Sequence, residues 1–297
     1  MTTIAWQRRR RSWASTWALF RRNRRGMVGL IILIIFAVLA LLAPLLVTPA
    51  EIDPALAPGS PLQPPGQAPP LGTDLFGRAV IDMLIVGSRV SLTVGVLATL
   101  GAVLIGATMG LFAGYYTGRP LGTILTALTD WFLVIPWLVL AIVLAAILGP
   151  NLLNVIVVIA VTSWALTARL VRAQTLVVRE QPFVERARAL GAGDAAIITR
   201  QILPSVAPVI VAQGVLTVAV AILSETTLAL LGLGDPNSLS WGRMIQEAFN
   251  AGAMSNGYWW WILPPGICVI LVTMAFTLVG YALEEILDPR LRKSETR

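Results

Sequence analysis

The chain of 297 residues has no histidine, one lysine (Lys293) and one cysteine (Cys268). Without histidine, a Ser-His-Asp triad and an HExxH zinc site are excluded. The lysine follows no glycine-rich run, so the chain has no nucleotide-binding P-loop. A single cysteine excludes an internal disulfide and a thiolate metal cluster. We therefore expect no catalytic residue, no metal site and no cofactor.

Charge is also scarce. Only 12% of the residues are charged, 57% are hydrophobic and the mean hydropathy is +0.80. A soluble protein carries about 25% charged residues, so this chain has too few to cover a surface that faces water. The composition predicts an all-α membrane protein surrounded mainly by lipid.

Six uncharged or nearly uncharged runs are long enough to cross a bilayer, which takes roughly 20 residues per helix. The predicted organisation is a basic, interfacial tail (1–26), a first span (27–47), an external connector (48–89), a five-span core (90–283) and a second tail (284–297). Within the core, the expected spans are 90–115, 124–148, 153–171, 206–231 and 263–283.

The distribution of basic residues predicts the orientation. With both termini in the cytoplasm, 19 of the 22 Lys and Arg residues lie on the cytoplasmic side, and only Arg78, Arg89 and Arg243 lie outside. This is a strong positive-inside bias. Because the basic residues flank the spans, we expect them to meet anionic membrane lipid and not nucleic acid.

The connection between the fourth and fifth spans, residues 181–204, has the pattern of two short helices around a glycine turn. Pro182 suits a first helical turn and Gly191 a helix end. Asp194 is expected to cap the second helix, and Leu203-Pro204 to end it. The first helix is amphipathic, with an apolar side of Phe183, Ala187 and Leu190 and a charged side of Glu185, Arg186 and Arg188. Such a surface suits docking to another protein.

These residues resemble the EAA motif of ABC importer permeases: Glu185, Arg186 and Ala187, then Gly191, then Leu203-Pro204. Three further segments resemble one of the two permease subunits of dipeptide, oligopeptide and nickel importers. They contain Gly72, Thr73, Asp74, Gly77 and Arg78, followed by Gly87, Arg89 and Ser91; Gly234, Ser240 and Gly242; and Asp288 and Arg290. Together the resemblance covers residues 16–290.

The resemblance implies a type I ABC importer fold with six spans and a cytoplasmic coupling loop. It implies a cell-membrane, multi-pass permease for peptides that pairs with a second, homologous permease subunit as a heterodimer. Two cytoplasmic ATP-binding subunits and an extracytoplasmic solute-binding protein would complete the importer. The helix from Phe183 to Leu190 would be the coupling helix, with Glu185 fixing its orientation and Gly191 allowing the turn. This chain would not be an enzyme, because ATP hydrolysis would occur in the partners.

Two carboxylates fall inside predicted spans. Asp130 precedes Pro136, where the third span could kink, and Glu225 lies in the fifth. Intramembrane carboxylates are costly and often functional. A structural role, a place in the substrate pathway and proton coupling all remain open. The alternatives to a peptide importer are therefore a proton-coupled secondary transporter using Asp130 and Glu225, an ABC permease for nickel or another small solute, and a membrane scaffold.

Two further patterns concern packing. Gly106, Gly110 and Gly114 form a ridge that lets another helix approach closely, either within the subunit or on a partner. Trp259, Trp260 and Trp261 at a span entrance predict an aromatic belt at the membrane interface.

Overall fold

A computed structural model describes residues 17–66 and 69–287. Over these residues the chain is predominantly helical. The helices are α1 (Arg24–Leu46), α2 (Pro49–Ile52), α3 (Val80–Tyr115), α4 (Pro120–Val134), α5 (Trp137–Leu148), α6 (Leu152–Arg179), α7 (Pro182–Ala189), α8 (Asp194–Ile197), α9 (Leu203–Leu230), α10 (Trp241–Asn250) and α11 (Trp259–Leu287), with a π-helix at Ile198–Ile202 between α8 and α9.

Six crossings follow from these helices. The helices α1, α3, α6 and α11 and the continuous run Asp194–Leu230 are each long and apolar enough to span a membrane, and the bent pair α4 and α5 makes six when it is taken as one broken span. The predicted six-span, all-α fold is therefore confirmed. One end of the bundle carries residues 180–203 and is called the loop end. The other carries residues 48–79 and 232–258 and is called the cap end.

The α3 helix begins ten residues before the predicted span at 90. Its 36 residues extend about 54 Å, whereas the hydrocarbon core is about 30 Å thick. The α6 helix likewise continues eight residues past the predicted end at 171. Hydropathy detects only the part of a helix that lies in lipid, so the extensions beyond the membrane escaped it.

The third predicted span, 124–148, is not one straight helix. It is divided at Ile135 and Pro136, and the axes of α4 and α5 differ by 92°. Proline cannot donate a backbone hydrogen bond, and it disfavours helical backbone in the residue before it. Ile135 accordingly has an extended conformation (φ −69°, ψ 126°). The predicted kink is therefore a full break.

The glycine ridge of α3 packs within the subunit against α6. A Cβ atom added at Gly106 would lie 2.6 Å from the carbonyl oxygen of Trp164, and one at Gly110 would lie 2.5 Å from that of Ala168. Only glycine permits such an approach, so the ridge fixes α3 against α6 over about 12 Å of helix.

The beginning and the end of the described chain lie together at the loop end. Gly26 packs against Ala282, and the Asn23 side chain donates a 2.9 Å hydrogen bond to Glu285. Phe20 is buried between α1 and α11 with Val279. The first and last crossings thus lie side by side, and with an even number of spans both chain ends lie at the loop end.

The three tryptophans at the start of α11 do not form the predicted belt. Trp260 and Trp261 are buried in the cap end, and only Trp259 is exposed. The indole nitrogen of Trp260 donates a 3.2 Å hydrogen bond to the carbonyl oxygen of Thr73. Two of the three residues therefore hold the cap on the bundle, a role that spacing alone did not reveal.

Candidate functional site

The 181–204 loop is anchored to the bundle by one side chain of α7. Val184 is fully buried and belongs to an apolar cluster with Tyr115, Ile197 and Ile202. The sequence pattern missed Val184, because it lies among the charged residues of the motif. Val184 is the one buried residue of α7, and the other residues of this helix remain at least partly exposed.

The other face of α7 is exposed. Phe183 and Leu190 are 44% and 82% exposed, although both are large and apolar. Glu185, Arg186 and Arg188 are also exposed, and Ala187 is half-buried. The expected apolar side therefore exists, but it points away from the subunit. An apolar face kept in solvent by a rigid anchor marks an interaction surface.

Gly191 ends α7 as the sequence predicted. Its φ is +82°, and an added Cβ would meet no atom within 4 Å. The amide of Ala192 donates to the carbonyl of Ala187, and that of Gly191 to the carbonyl of Arg188, each at 3.0 Å. This glycine-dependent helix end satisfies two terminal carbonyls. Glycine is therefore required at position 191 by the backbone conformation, and not by a lack of space for a side chain.

Asp194 does not cap a helix, contrary to the prediction. Gly193 occupies the N-cap position of α8. The Asp194 carboxylate accepts a 2.7 Å hydrogen bond from the hydroxyl of Tyr115 and lies 3.5 Å from a guanidinium nitrogen of Arg119. It therefore ties the loop to the end of α3 and to the turn that follows.

The pair Leu203-Pro204 does not end the second helix either. The chain continues from α8 through the π-helix into α9, and Pro204 lies in the first turn of α9. A π-helix shifts the backbone bonding pattern by one residue, which accommodates the missing N–H of the proline. The second half of the loop is thus a rigid extension of α9.

Arg179 closes the loop end from the other side. Its guanidinium donates to the carbonyl oxygens of Gly114, Tyr115 and Thr117 at 3.1–3.4 Å. The carbonyls of Tyr115, at the end of α3, and of Thr117, in the turn that follows, gain a donor in this way, whereas that of Gly114 also accepts from the amide of Thr117. The last turn of α6 is therefore bound to the last turn of α3 immediately before the loop begins. The sequence analysis used Arg179 only for topology and missed this contact.

The predicted external motif is the centre of the cap. Asp74 is fully buried, and its carboxylate accepts hydrogen bonds from the amides of Phe76 and Arg78. The buried Arg78 guanidinium lies 2.6 Å from both Asp74 and Glu247, and Glu247 also pairs with Arg243. This network joins the segment before α3 to α10, residues that are 169 positions apart.

The other residues of the motif allow close approaches. Gly72 and Gly77 have positive φ angles of 72° and 82°. The Thr73 hydroxyl donates to the carbonyl oxygen of Ser60 at 2.7 Å and accepts from the amide of Gln63 at 2.8 Å. The motif therefore holds the proline-rich first half of the 48–89 connector against the cap. This half of the connector is thus more than a spacer.

The remaining motif segments, around Gly87 and around Gly242, meet at Trp241. Its indole nitrogen donates to the carbonyl oxygen of Leu84, and its amide donates to the hydroxyl of Ser91. Gly87 lies against the indole ring, where a Cβ would be 2.9 Å from Trp241. Arg89, between Gly87 and Ser91, is exposed. Segments that seemed separate in the sequence are thus one packed unit, and Arg89 points away from it.

The two membrane carboxylates have different surroundings. Asp130 is exposed on α4, six residues before Pro136. Glu225 is 4% exposed in α9, beside Ser240 and Thr226, and its second carboxylate oxygen has no hydrogen-bond partner among the described residues. The two carboxylates therefore have unlike settings, since Asp130 is exposed on α4 and Glu225 is buried in α9 beside Ser240. The segment with Asp288 and Arg290 lies outside the described residues.

A bundle of membrane-crossing helices with an exposed apolar helix face at one end and a folded cap at the other has the form of a membrane transport component. Residues 102–293 match the family described as "Binding-protein-dependent transport system inner membrane component", and residues 12–65 match the "N-terminal TM domain of oligopeptide transport permease C". The chain belongs to this family of ABC importer permeases, as its motifs predicted. It is a multi-pass protein of the cell membrane and a permease, not an enzyme.

Sequence similarity to named relatives supports the same family assignment. The chain is 37% identical over 282 residues to the dipeptide transport system permease protein DppC of Alkalihalophilus pseudofirmus, covering 94% of this chain and 90% of the relative. It is 35% identical over 229 residues to the glutathione transport system permease protein GsiD of Pectobacterium atrosepticum, covering 77% and 75%. The family of binding-protein-dependent importers gives no support to the proton-coupled alternative.

A solved structure shows the same fold. The MetNI methionine ABC transporter, in inward-facing conformations, matches with a TM-score of 0.54 and 19% identity. The match covers 69% of this chain and 94% of that one. At this identity the likeness concerns the fold alone, and it confirms the predicted type I importer fold.

Proposed function

We propose that this chain is one of two permease subunits of an ATP-driven peptide importer. The observation that carries the proposal is the exposed apolar face of α7, which is held by Val184 at the end of a rigid bundle. The family requires an ATPase partner, and this face is where one would bind. The relatives named for dipeptide and glutathione transport support a peptide as substrate.

The contacts around the loop would carry motion from the ATPase to the membrane. The loop connects α6 to α9 directly, and its second half is continuous with α9. Arg179 and Asp194 bind the same end of α3 from the two sides of the loop. A displacement of α7 would therefore move three crossings together, as alternating access requires.

The break between α4 and α5 supports a pathway role for Pro136. Backbone outside a helix is tolerated at membrane depth only where it lines a cavity or is buried in protein. A cavity of about 410 Å³ lies at this break, bordered by Pro136, Thr162, Gln213, Thr217 and Ser224. In our proposal, this cavity is part of the peptide passage that the second permease subunit completes.

Structural roles are proposed for both membrane carboxylates. Glu225 lies beside Ser240, whose hydroxyl caps α10 by accepting from the amide of Arg243. Its burial against the cap suits positioning of α10. Asp130 is exposed and outside the lining of the cavity. We expect Asp130→Asn to retain most ATP-driven uptake in assembled complexes, and abolished uptake would place Asp130 in the mechanism.

The orientation proposed here places the loop end in the cytoplasm and the cap end outside, facing a solute-binding protein. Support comes from the excess of arginine at the loop end. Leu56 is 63% exposed in the proline-rich connector. In a chain whose Cys268 is replaced by serine, Leu56→Cys should react with an impermeant thiol reagent in intact cells. Reaction only after lysis would reverse the assignment.

The test of the function is uptake by proteoliposomes that contain the whole transporter. We expect accumulation of a labelled dipeptide or tripeptide to require ATP, the ATP-binding subunits and the solute-binding protein. Accumulation driven by a pH gradient without ATP would favour the secondary transporter. ATP-driven uptake of nickel without peptide uptake would retain the importer but change the substrate class.

A further inference from the structure

A lateral groove between α1 and α3 lies outside the features used so far. It is formed by residues 37–44 of α1 and 89–97 of α3 and has a volume of about 480 Å³. The groove opens sideways, toward the surroundings of the bundle, because Leu41 is 75% exposed and Leu97 46% exposed. Within a membrane, this position faces lipid.

The lining of the groove is apolar except at one end. The Thr93 hydroxyl is engaged with the carbonyl oxygen of Arg89 at 2.6 Å, so it offers little to a ligand. The Arg89 side chain is the one charged group that lines the groove. The groove thus combines a hydrocarbon surface with a cation at its mouth.

Arg89 differs from Arg78 and Arg243, the two arginines of the cap end. Arg78 pairs with Asp74 and Glu247, and Arg243 pairs with Glu247. Over residues 17–66 and 69–287, no ion pair involves Arg89, and its side chain is exposed. Arg89 thus lacks a counter-charge among the described residues, whereas Arg78 and Arg243 each have one.

The depth of Arg89 matches a lipid headgroup. In the groove Arg89 shares the lining with Pro44, which lies two residues before the end of α1. The 23 residues of α1 extend about 35 Å, slightly more than the hydrocarbon thickness of about 30 Å. The end of α1 therefore marks the boundary between acyl chains and headgroups. Residues 37–44 extend about 10 Å inward from this boundary.

We propose that this groove is a binding site for an anionic phospholipid. An acyl chain lies along residues 37–44 and 89–97, and the headgroup phosphate binds the guanidinium of Arg89. A planar guanidinium matches the geometry of phosphate oxygens. The lipid supplies the counter-charge that Arg89 lacks among the described residues, and it would secure α1 against α3 near the cap end.

The experiment uses the full-length protein in nanodiscs of phosphatidylcholine doped with a photoactivatable phosphatidylglycerol. After illumination, mass spectrometry maps the cross-linked residues. We expect cross-links at residues 37–44 and 89–97, and we expect unlabelled phosphatidylglycerol to compete better than phosphatidylcholine. One arginine near a lipid surface contributes about 1 kcal/mol, so Arg89→Gln should reduce cross-linking at these residues about fivefold, and Arg89→Lys should reduce it less.

Variants that fill the groove test its shape independently of the charge of Arg89. Ala37 lines the groove and is exposed, so Ala37→Phe should fill it and abolish the cross-links. Val38 is 46% exposed on the adjacent face and is not part of the lining, so Val38→Phe is the matched control and should leave them unchanged. Equal competition by phosphatidylcholine, or full cross-linking in Arg89→Gln, would overturn the proposal. Loss of the cross-links on addition of the solute-binding protein would also overturn it, because Arg89 would then serve a protein partner.

Discussion

The hydroxyl of Tyr115, the last residue of α3, donates a 2.7 Å hydrogen bond to the carboxylate of Asp194, the first residue of α8. The two residues are 79 positions apart. This bond links the loop to α3, and the contacts of Arg179 link the last turn of α6, just before the loop, to the same end of α3. A loop that was only a connector would not need contacts to α3 at both of its ends.

Removing the Tyr115 hydroxyl should loosen the loop without unfolding the bundle. A hydrogen bond to a charged group contributes about 1.5–3 kcal/mol, and the Asp194 side chain is 44% exposed, so we expect Tyr115→Phe to cost about 1 kcal/mol locally. Amide hydrogen exchange in residues 182–198 should then accelerate severalfold. Tyr281→Phe removes the same group from an exposed position on α11 and should leave exchange in this segment unchanged. Equal exchange in both variants would mean that the bond does not restrain the loop.

The turn after α7 offers a matched pair of glycines. Gly191 has a φ of +82°, whereas Gly193 has an extended backbone with φ −69°, and neither would meet an atom with an added Cβ. A β-branched residue is strongly disfavoured at positive φ. We therefore expect Gly191→Val to displace α7 and to lose substrate-stimulated ATP hydrolysis, whereas Gly193→Val should retain most of it.

Both glycine variants should insert into the membrane normally, because neither position lies in a crossing. Purified complexes are compared for their content of ATP-binding subunits and for coupled ATP hydrolysis. Normal coupling in Gly191→Val would show that the conformation of this turn is not required for function.

The charge network of the cap should depend on Arg78 far more than on Arg243. Asp74 is fully buried beside the buried Arg78, and removing one partner of a buried pair costs about 3–5 kcal/mol. The two backbone amides that also bond Asp74 will offset part of this loss. The pair of Arg243 with Glu247 is partly exposed and should contribute about 0–1 kcal/mol. Thermal unfolding in detergent should therefore show a large loss for Arg78→Gln and a small one for Arg243→Gln. Similar losses would indicate that the two pairs act as one unit.

The number of crossings and the motifs were predictable because they depend on local composition and spacing. Hydropathy located six apolar runs, and glycine spacing located the ridge on α3 and the turn at Gly191. The extensions of α3 and α6 were not predictable from hydropathy, since these turns lie outside lipid. The presence of Pro136 was not enough to predict the 92° break, because other prolines lie inside the continuous helices α1, α9 and α11.

The candidate site was predictable in its exposed residues and not in its anchors. Phe183 and Leu190 follow a helical period, whereas Val184, Tyr115 and Arg179 act through partners far away in the sequence. The role of Asp194 was predicted wrongly for the same reason. A local capping pattern competed with a long-range hydrogen bond, and the long-range bond prevailed.

The central claim is that the exposed face of α7 docks to an ATP-binding subunit and transmits its motion. Leu190 is 82% exposed on this face, and Leu190→Cys in a chain with Cys268→Ser gives one reporter thiol. In the reconstituted transporter, we expect a photoactivatable probe on this thiol to cross-link to the ATP-binding subunit. ATP together with the peptide-loaded binding protein should change the cross-linking yield, and the same probe at Leu41, on the lipid-facing side of α1, should give none. Absence of cross-links from Leu190 in a complex that transports peptide would contradict the account.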